Sequence, residues 1–160
     1  LHSRILSATR GQAVLHSSFE GYEEWKGEIP DRTAGVIIAM EKGEAAAYSL
    51  DALKSRGTFF LIPGTKVYPG MVVGEHCLDR DMVANVAKKR RLTNMRAASA
   101  DATIVLQQPR IFGLEEALEY INEDELVEIT PKSIRMRKKL LSQSERRRLA
   151  REMREEEVES

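Results

Sequence analysis

Between Asp81 and Asp101 the chain carries no acid, and Lys88-Lys89-Arg90-Arg91-Leu92-Thr93-Asn94-Met95-Arg96-Ala97-Ala98-Ser99 places five cations in that interval. Leu92 and Met95 are the only sizeable apolar residues of the run. Such a run buries too little surface to sit in a core, so it is expected as an exposed, mobile loop spanning residues 86–101. Met82 to Ala87 before it and Thr103-Ile104-Val105-Leu106 after it are short and apolar. They predict two strands of one sheet, with the loop as an insertion on a rigid scaffold. Dense positive charge there suits a polyanion, because Arg forks and an Asn amide match phosphates and base edges. Lys88, Lys89, Arg90, Arg91, Asn94 and Arg96 are the candidate RNA-binding residues. The competing reading is a solvated charge run, which is what most short basic clusters are.

The formal net charge is zero, yet the signs are laid out in blocks. Glu115 to Glu128 holds seven carboxylates and no base, Lys132 to Arg154 holds ten bases against two acids, and Glu155 to Glu159 is acidic again. Local fields decide steering, so neutrality of the whole does not exclude a polyanionic partner. A single cysteine, Cys77, excludes an internal disulfide and fits a reducing compartment. No apolar run approaches membrane-spanning length, and the first residues do not read as a signal peptide. Leu1-His2-Ser3-Arg4-Ile5-Leu6 reads like the middle of an element, so the chain is expected to begin partway through a larger protein.

Along the rest of the chain, Leu1 to Thr9 is expected as the last turns of a helix and Ala13 to Phe19 as a strand. Tyr22 to Pro30 has the composition of a connector, anchored by Trp25. Gly35 to Glu41 and Glu44 to Leu50 flank Lys42-Gly43 as a predicted hairpin. Asp51 caps a short helix that ends at Gly57. Thr58 to Ile62 and Met71 to Cys77 are strands, separated by turns at Pro63-Gly64 and Pro69-Gly70. Leu114, Ala117, Leu118 and Ile121 share a helical face, and Leu126 to Thr130 is a last strand. Thr130-Pro131 reads as a helix start, a capping hydroxyl followed by proline. On that helix Lys132, Arg135, Lys138 and Lys139 form a stripe, a possible second RNA-facing patch weighed equally against plain solubility. From Ser144 the tail is almost wholly charged, helical or disordered. The fold class is α+β with short, largely antiparallel strands.

Chemistry is sparse. The sequence holds no P-loop and no dinucleotide fingerprint. His76 and Cys77 are adjacent, and neighbours on a strand point to opposite faces, so mutual activation is disfavoured against a buried structural cysteine. One cysteine and three scattered histidines give no metal frame. Aromatic residues do not interleave with either basic cluster, which favours structured RNA backbone over single strands as the ligand.

Several blocks in one order carry a family resemblance: Thr9-Arg10-Gly11, Tyr22-x-x-Trp25-Lys26-Gly27-Glu28-Ile29-Pro30, Pro63-Gly64-Thr65-x-Val67-Tyr68-x-Gly70-Met71, Leu92-Thr93-Asn94-x-Arg96, Glu123 to Glu128, and Thr130-Pro131-Lys132-Ser133-Ile134-Arg135. Together they resemble the C-terminal part of the TypA/BipA translational GTPases, leaving only the tail after Ser142 uncovered. The resemblance implies an elongation-factor-like parent with a GTPase domain, a β-barrel, two ferredoxin-like domains and a family-specific C-terminal domain. Residues 1–28 then end the second ferredoxin-like domain, 29–143 form the family-specific domain, and 144–160 are the tail. It further implies a ribosomal role in which the basic loop enters the A site, near the tRNA acceptor arm and the peptidyl-transferase region. Implied partners are the ribosome, through rRNA and A-site tRNA, and the other domains of the parent, with no membrane. No cofactor or catalytic activity is implied for these residues, since GTP and Mg²⁺ belong to the parent's GTPase domain. The implied setting is the bacterial cytoplasm, or an organellar stroma or matrix, in stress response or ribosome assembly. Two other readings stand beside it: a stand-alone RNA-binding or ribosome-assembly module, and a small enzyme using His76 and Cys77.

Overall fold

The computed structural model describes Ile5, Thr9 and residues 12–25, 32–89 and 105–159. Its elements are β1 (Val36–Ala39), β2 (Gly43–Glu44), α1 (Ala47–Leu53) with a 3-10 turn at Lys54–Arg56, β3 (Gly57–Phe59), β4 (Lys66–Val67), β5 (Met71–His76), β6 (Met82–Ala84), α2 (Leu114–Tyr120), β7 (Glu125–Thr130), β8 (Ser133–Lys138) and α3 (Gln143–Glu159). The expected α+β class is the one observed, with the strands largely antiparallel.

The sheet runs β6-β1-β5-β8-β7, and β3 lies against β5 on the side of β8. β5 divides its length between partners: Met71 and Val72 face β8, whereas Gly74, Glu75 and His76 face β3. β1 is antiparallel to β5 and parallel to β6. Both faces of β1 are covered, which is why Val36-Ile37-Ile38-Ala39 is apolar throughout rather than alternating. Ile37 and Ala39 join Leu50, Leu61, Val67, Met71 and Val73 beneath α1 and the small β2-β4 ladder. Val36 and Ile38 join Val72, Met136, Ala117 and Tyr120 beneath α2. On that second face Phe60, Phe112 and Tyr120 meet edge to face or tilted, with ring centroids 4.7–5.4 Å apart.

Several expectations are corrected. The Gly35–Leu50 hairpin does not form, because β1 pairs with β5 and β6 while β2 pairs with β4. A helix begins at Ala47 instead of a strand, with Ala46 extended before it. The residue before that helix is Ala46, and Asp51 pairs with Lys54 inside it at 2.9 Å. Residues 12–25 carry no ladder. Thr103 and Ile104 lie outside the described residues, and Val105 and Leu106 belong to no strand.

The largest correction is at Thr130-Pro131, where a tight hairpin joins β7 to β8 in place of a helix. The Thr130 hydroxyl oxygen accepts the Ser133 amide at 3.0 Å and donates to the Ser133 carbonyl at 2.8 Å. The capping hydroxyl therefore closes a turn, and Pro131 sits where its fixed φ suits one. The expected turns at Pro63-Gly64 and Pro69-Gly70 are present, with φ of 86° at Gly64 and 84° at Gly70. At Gly70 a side chain would also strike Leu141 at 2.8 Å, so the chain leaving β8 packs directly on that turn.

Candidate nucleic-acid interface

The root of the basic run is tied down at four points. Asn85 accepts the Ala87 amide at 3.0 Å and donates to the Glu41 carboxylate at 2.6 Å. Val86 is buried, and its carbonyl accepts the Ala46 amide at 2.9 Å. The Ser49 hydroxyl, itself buried at the start of α1, donates to the Lys88 carbonyl at 2.5 Å. Beyond that bond the side chains of Lys88 and Lys89 are exposed. Arg90, Arg91, Asn94 and Arg96 lie outside the described residues.

On the return side Leu106 packs against the α1 face of the core, and the Arg110 amide bonds the Phe59 carbonyl at 2.9 Å. The Arg110 guanidinium lies 4.4 Å from the centroid of Phe112 and 3.6 Å from Glu75. A cation stacked on an aromatic face keeps its charge and loses freedom, which suits a fixed flank. Neither Ser49 nor Arg110 was singled out from the sequence. An isolated Ser inside a helical stretch and an Arg beside a Pro carry no signal until the fold brings their partners in.

The second basic set changes character, because its helix is a strand. On a strand, residues of opposite parity face opposite ways, so Lys132, Arg135, Lys138 and Lys139 form no stripe. Arg135 stands opposite Glu128 in the ladder, and Lys132 and Lys139 are exposed at the two ends of β8. Lys138 is 2% exposed, and its ammonium lies 2.6 Å from Asp81, 2.7 Å from Asp124 and 2.9 Å from Glu125. It is an internal ion and faces no RNA.

Arg32 completes that cluster. Its two terminal nitrogens each sit 2.9 Å from one Glu125 oxygen, and its Nε donates to the Ala34 carbonyl at 2.8 Å. The guanidinium also lies 4.7 Å from the centroid of Tyr120. Burial alone would raise the Glu125 carboxyl's pKa, but the bonds from Arg32 and Lys138 outweigh it and hold the group below its ordinary value. Burial likewise opposes the charge on Lys138, and Asp124, Asp81 and Glu125 together raise its pKa above the usual lysine value. The cluster ties the start of the domain to β6, β7 and β8.

His76 and Cys77 do not form a catalytic pair. His76 is buried and donates from Nδ1 to the Arg80 carbonyl at 2.7 Å, whereas Cys77 is exposed. The expected buried cysteine is thus a surface one. Among the described residues no group of three or more His, Cys, Asp or Glu could hold a metal ion, and no helix is long and apolar enough to cross a membrane.

Residues 34–143 match the family profile described as the TypA/BipA C-terminal domain. A protein of Bacillus subtilis named large ribosomal subunit assembly factor BipA is 46% identical over 149 residues, which is 92% of this chain and 24% of that protein. Proteins of the same name from a Synechocystis strain and from Haemophilus influenzae are 48% identical over 134 residues and 44% identical over 145. These cover 84% and 90% of this chain, and 22% and 24% of those proteins. The chain spans about a quarter of the length of the curated relatives it matches.

Proposed function

The chain belongs to the TypA/BipA family, and from that premise we propose that it is a ribosome-binding module of a translational GTPase, acting by RNA contact rather than by chemistry of its own. The observation that carries the reading is the root of the basic run. The backbone is held as far as Lys88 by Ser49, Asn85 and Ala46, and cationic side chains begin where the anchoring stops. On this reading Lys88, Lys89, Arg90, Arg91, Asn94 and Arg96 meet phosphates from a root fixed to that point, without needing a pocket. The relatives' shared name as assembly factors of the large ribosomal subunit supplies the class of RNA.

On this reading the loop reaches the ribosomal A site, beside the tRNA acceptor arm and the peptidyl-transferase region. Lys132 and Lys139 lie at the rim of the contact, and Lys138 takes no part. GTP and Mg²⁺ act in the parent's GTPase domain, and the protein works in the bacterial cytoplasm.

The test is binding to large subunits and to whole ribosomes, with and without A-site tRNA, across a salt series. Each loop cation that neutralises a phosphate adds roughly 0.7–0.9 to the slope of log affinity against log salt. Arg90→Ala with Arg91→Ala is expected to weaken binding and to flatten that slope. Unchanged affinity and slope would overturn the loop's role.

A further inference from the structure

The tail helix α3 is a charged element that the ribosomal reading leaves unused. It is 17 residues long, with Glu145 as the only acid in its first turn and no base in its last. Arg146, Arg147 and Arg148 crowd its N-terminal end, and Glu155, Glu156, Glu157 and Glu159 close it. That order opposes the helix dipole, which favours acids first and bases last. The layout therefore works against the helix's own stability and is better explained by something outside it.

The charges are also sorted by face. At 3.6 residues per turn, Arg147, Arg151 and Arg154 fall within about 60° of one another and span about 10 Å along the axis. Leu149 and Met153 lie on another side, and Glu145 and Glu152 on a third. Like charges stacked at i and i+4 disfavour an isolated helix, whereas a merely solvated one interleaves opposite signs. Arg148 does so with Glu152 at 3.5 Å, whereas Glu155, also among the described residues and at the same spacing from Arg151, makes no ion pair with it. Arg147, Arg151 and Arg154 are exposed, and among the described side chains no carboxylate pairs with them. Every cation of the helix is an arginine, whose planar fork fits phosphate where lysine offers a point charge.

The helix is held at its base. Arg146 turns inward and donates from one nitrogen to the carbonyls of Leu140 and Leu141, at 2.6 and 2.8 Å. Leu141 in turn packs on Gly70. The stripe is thus presented in a set direction from the end of β8.

We propose that the face of α3 bearing Arg147, Arg151 and Arg154 docks on the phosphate backbone of double-helical RNA, as a second contact separate from the basic loop. A straight row of forks with no aromatic residue on the helix suits duplex backbone better than single strands, which need stacking platforms. The choice of RNA rests on the ribosomal reading above, while the phosphate contact rests on the helix alone.

The experiment measures binding of this chain to a fluorescent RNA duplex across a potassium chloride series, beside the same titration on large ribosomal subunits. Arg147→Gln with Arg151→Gln and Arg154→Gln keeps helix-forming residues, and circular dichroism checks that α3 remains. The expected result is weaker duplex binding with the salt slope reduced by roughly 2–3, at about 0.7–0.9 per lost phosphate contact. The matching triple lysine variant is expected to keep the slope and lose affinity. Failure of the unaltered chain to bind the duplex, or an unchanged slope in a folded glutamine variant, overturns the proposal. Neutralising Lys88 to Arg91 in parallel separates the two ideas. Loss there with no change in the α3 variant leaves the loop standing and removes the helix, and the reverse outcome removes the loop.

Discussion

Lys138 and Lys88 are the same residue type, fifty positions apart, and the fold uses them in opposite ways. Lys138 is 2% exposed among three carboxylates, one of which, Glu125, it shares with Arg32. Lys88 offers its carbonyl to Ser49 and leaves its ammonium in solvent. In the buried cluster each cation has a fixed partner, so the charges position strands. At the loop root the backbone has the fixed partner, so the charge is left for something else. A basic residue's role is decided by what holds its backbone and what meets its nitrogen, and composition reports neither.

The sharpest way to break this contrast is to remove the centre of the cluster. Glu125→Gln leaves Arg32 and part of Lys138 buried without a counter-charge, and breaking a buried pair in this way costs about 3–5 kcal/mol. A fall in urea or thermal unfolding midpoint of that size is expected, and a change below about 1 kcal/mol would mean that the cluster is not what fixes the domain's first strand. The pH dependence has a defined sign. Glu125 has a folded pKa below its ordinary value of 4.5, so its stabilisation is present above that value and is lost as pH falls through the lower folded one. Lys138 has a raised folded pKa, so its contribution is full below its ordinary value of 10.5 and is lost as pH rises through the higher folded one. Stability from the cluster is therefore flat between these limits and declines in acid, and Glu125→Gln is expected to remove much of the acid limb.

A smaller effect belongs to a half-exposed pair between the two extremes. The Tyr68 hydroxyl donates to Glu128 at 2.5 Å, and Arg137 reaches the same carboxylate at 2.9 Å. Burial first, and then the bond to Glu128, push the phenol's pKa well above its ordinary value. Tyr68→Phe is expected to cost about 1 kcal/mol, the usual net value of one such hydrogen bond. In spectrophotometric titration Tyr68 should ionise late, and Glu128→Gln should bring it back toward its ordinary range. An unshifted titration in that variant would assign the effect to burial alone.

What the sequence disclosed follows the same division. Periodicity and turn chemistry placed β5, β6, α2 and β7, although on α2 the expected face is only partly the buried one, since Leu114 and Leu118 are exposed and Tyr120 packs inward beside Ala117. The Thr130-Pro131 signal failed because a hydroxyl before a proline serves a helix cap and a tight turn equally. The alternation of Ser133-Ile134-Arg135-Met136 was the competing evidence. The run Glu44 to Leu50 failed because short apolar stretches do not separate strand from helix, and a helix begins within it at Ala47. Of the basic run, Lys88 and Lys89 are exposed as an unburiable charge run should be, and the rest lies outside the described residues. The cluster was not legible, because Arg32, Asp81 and Lys138 lie far apart in sequence and only the sheet order brings them together.

The smallest expected change in stability is the most informative about the loop. Lys88→Ala with Lys89→Ala removes two exposed side chains and should alter unfolding by no more than about 0.5 kcal/mol. Yet it should lower the salt slope of RNA binding by up to roughly 2 if both ammonium groups meet phosphates. Ser49→Ala is the complementary variant, since it keeps every cation and removes only the hydrogen bond that holds the Lys88 carbonyl. It should weaken affinity and leave the slope unchanged, because the number of phosphates neutralised is the same while the root is less well placed. If Ser49→Ala flattened the slope as the lysine variant does, the loop's cations would depend on the anchor even to reach the RNA. If it changed nothing, charge alone would suffice and the tied root would serve only the fold.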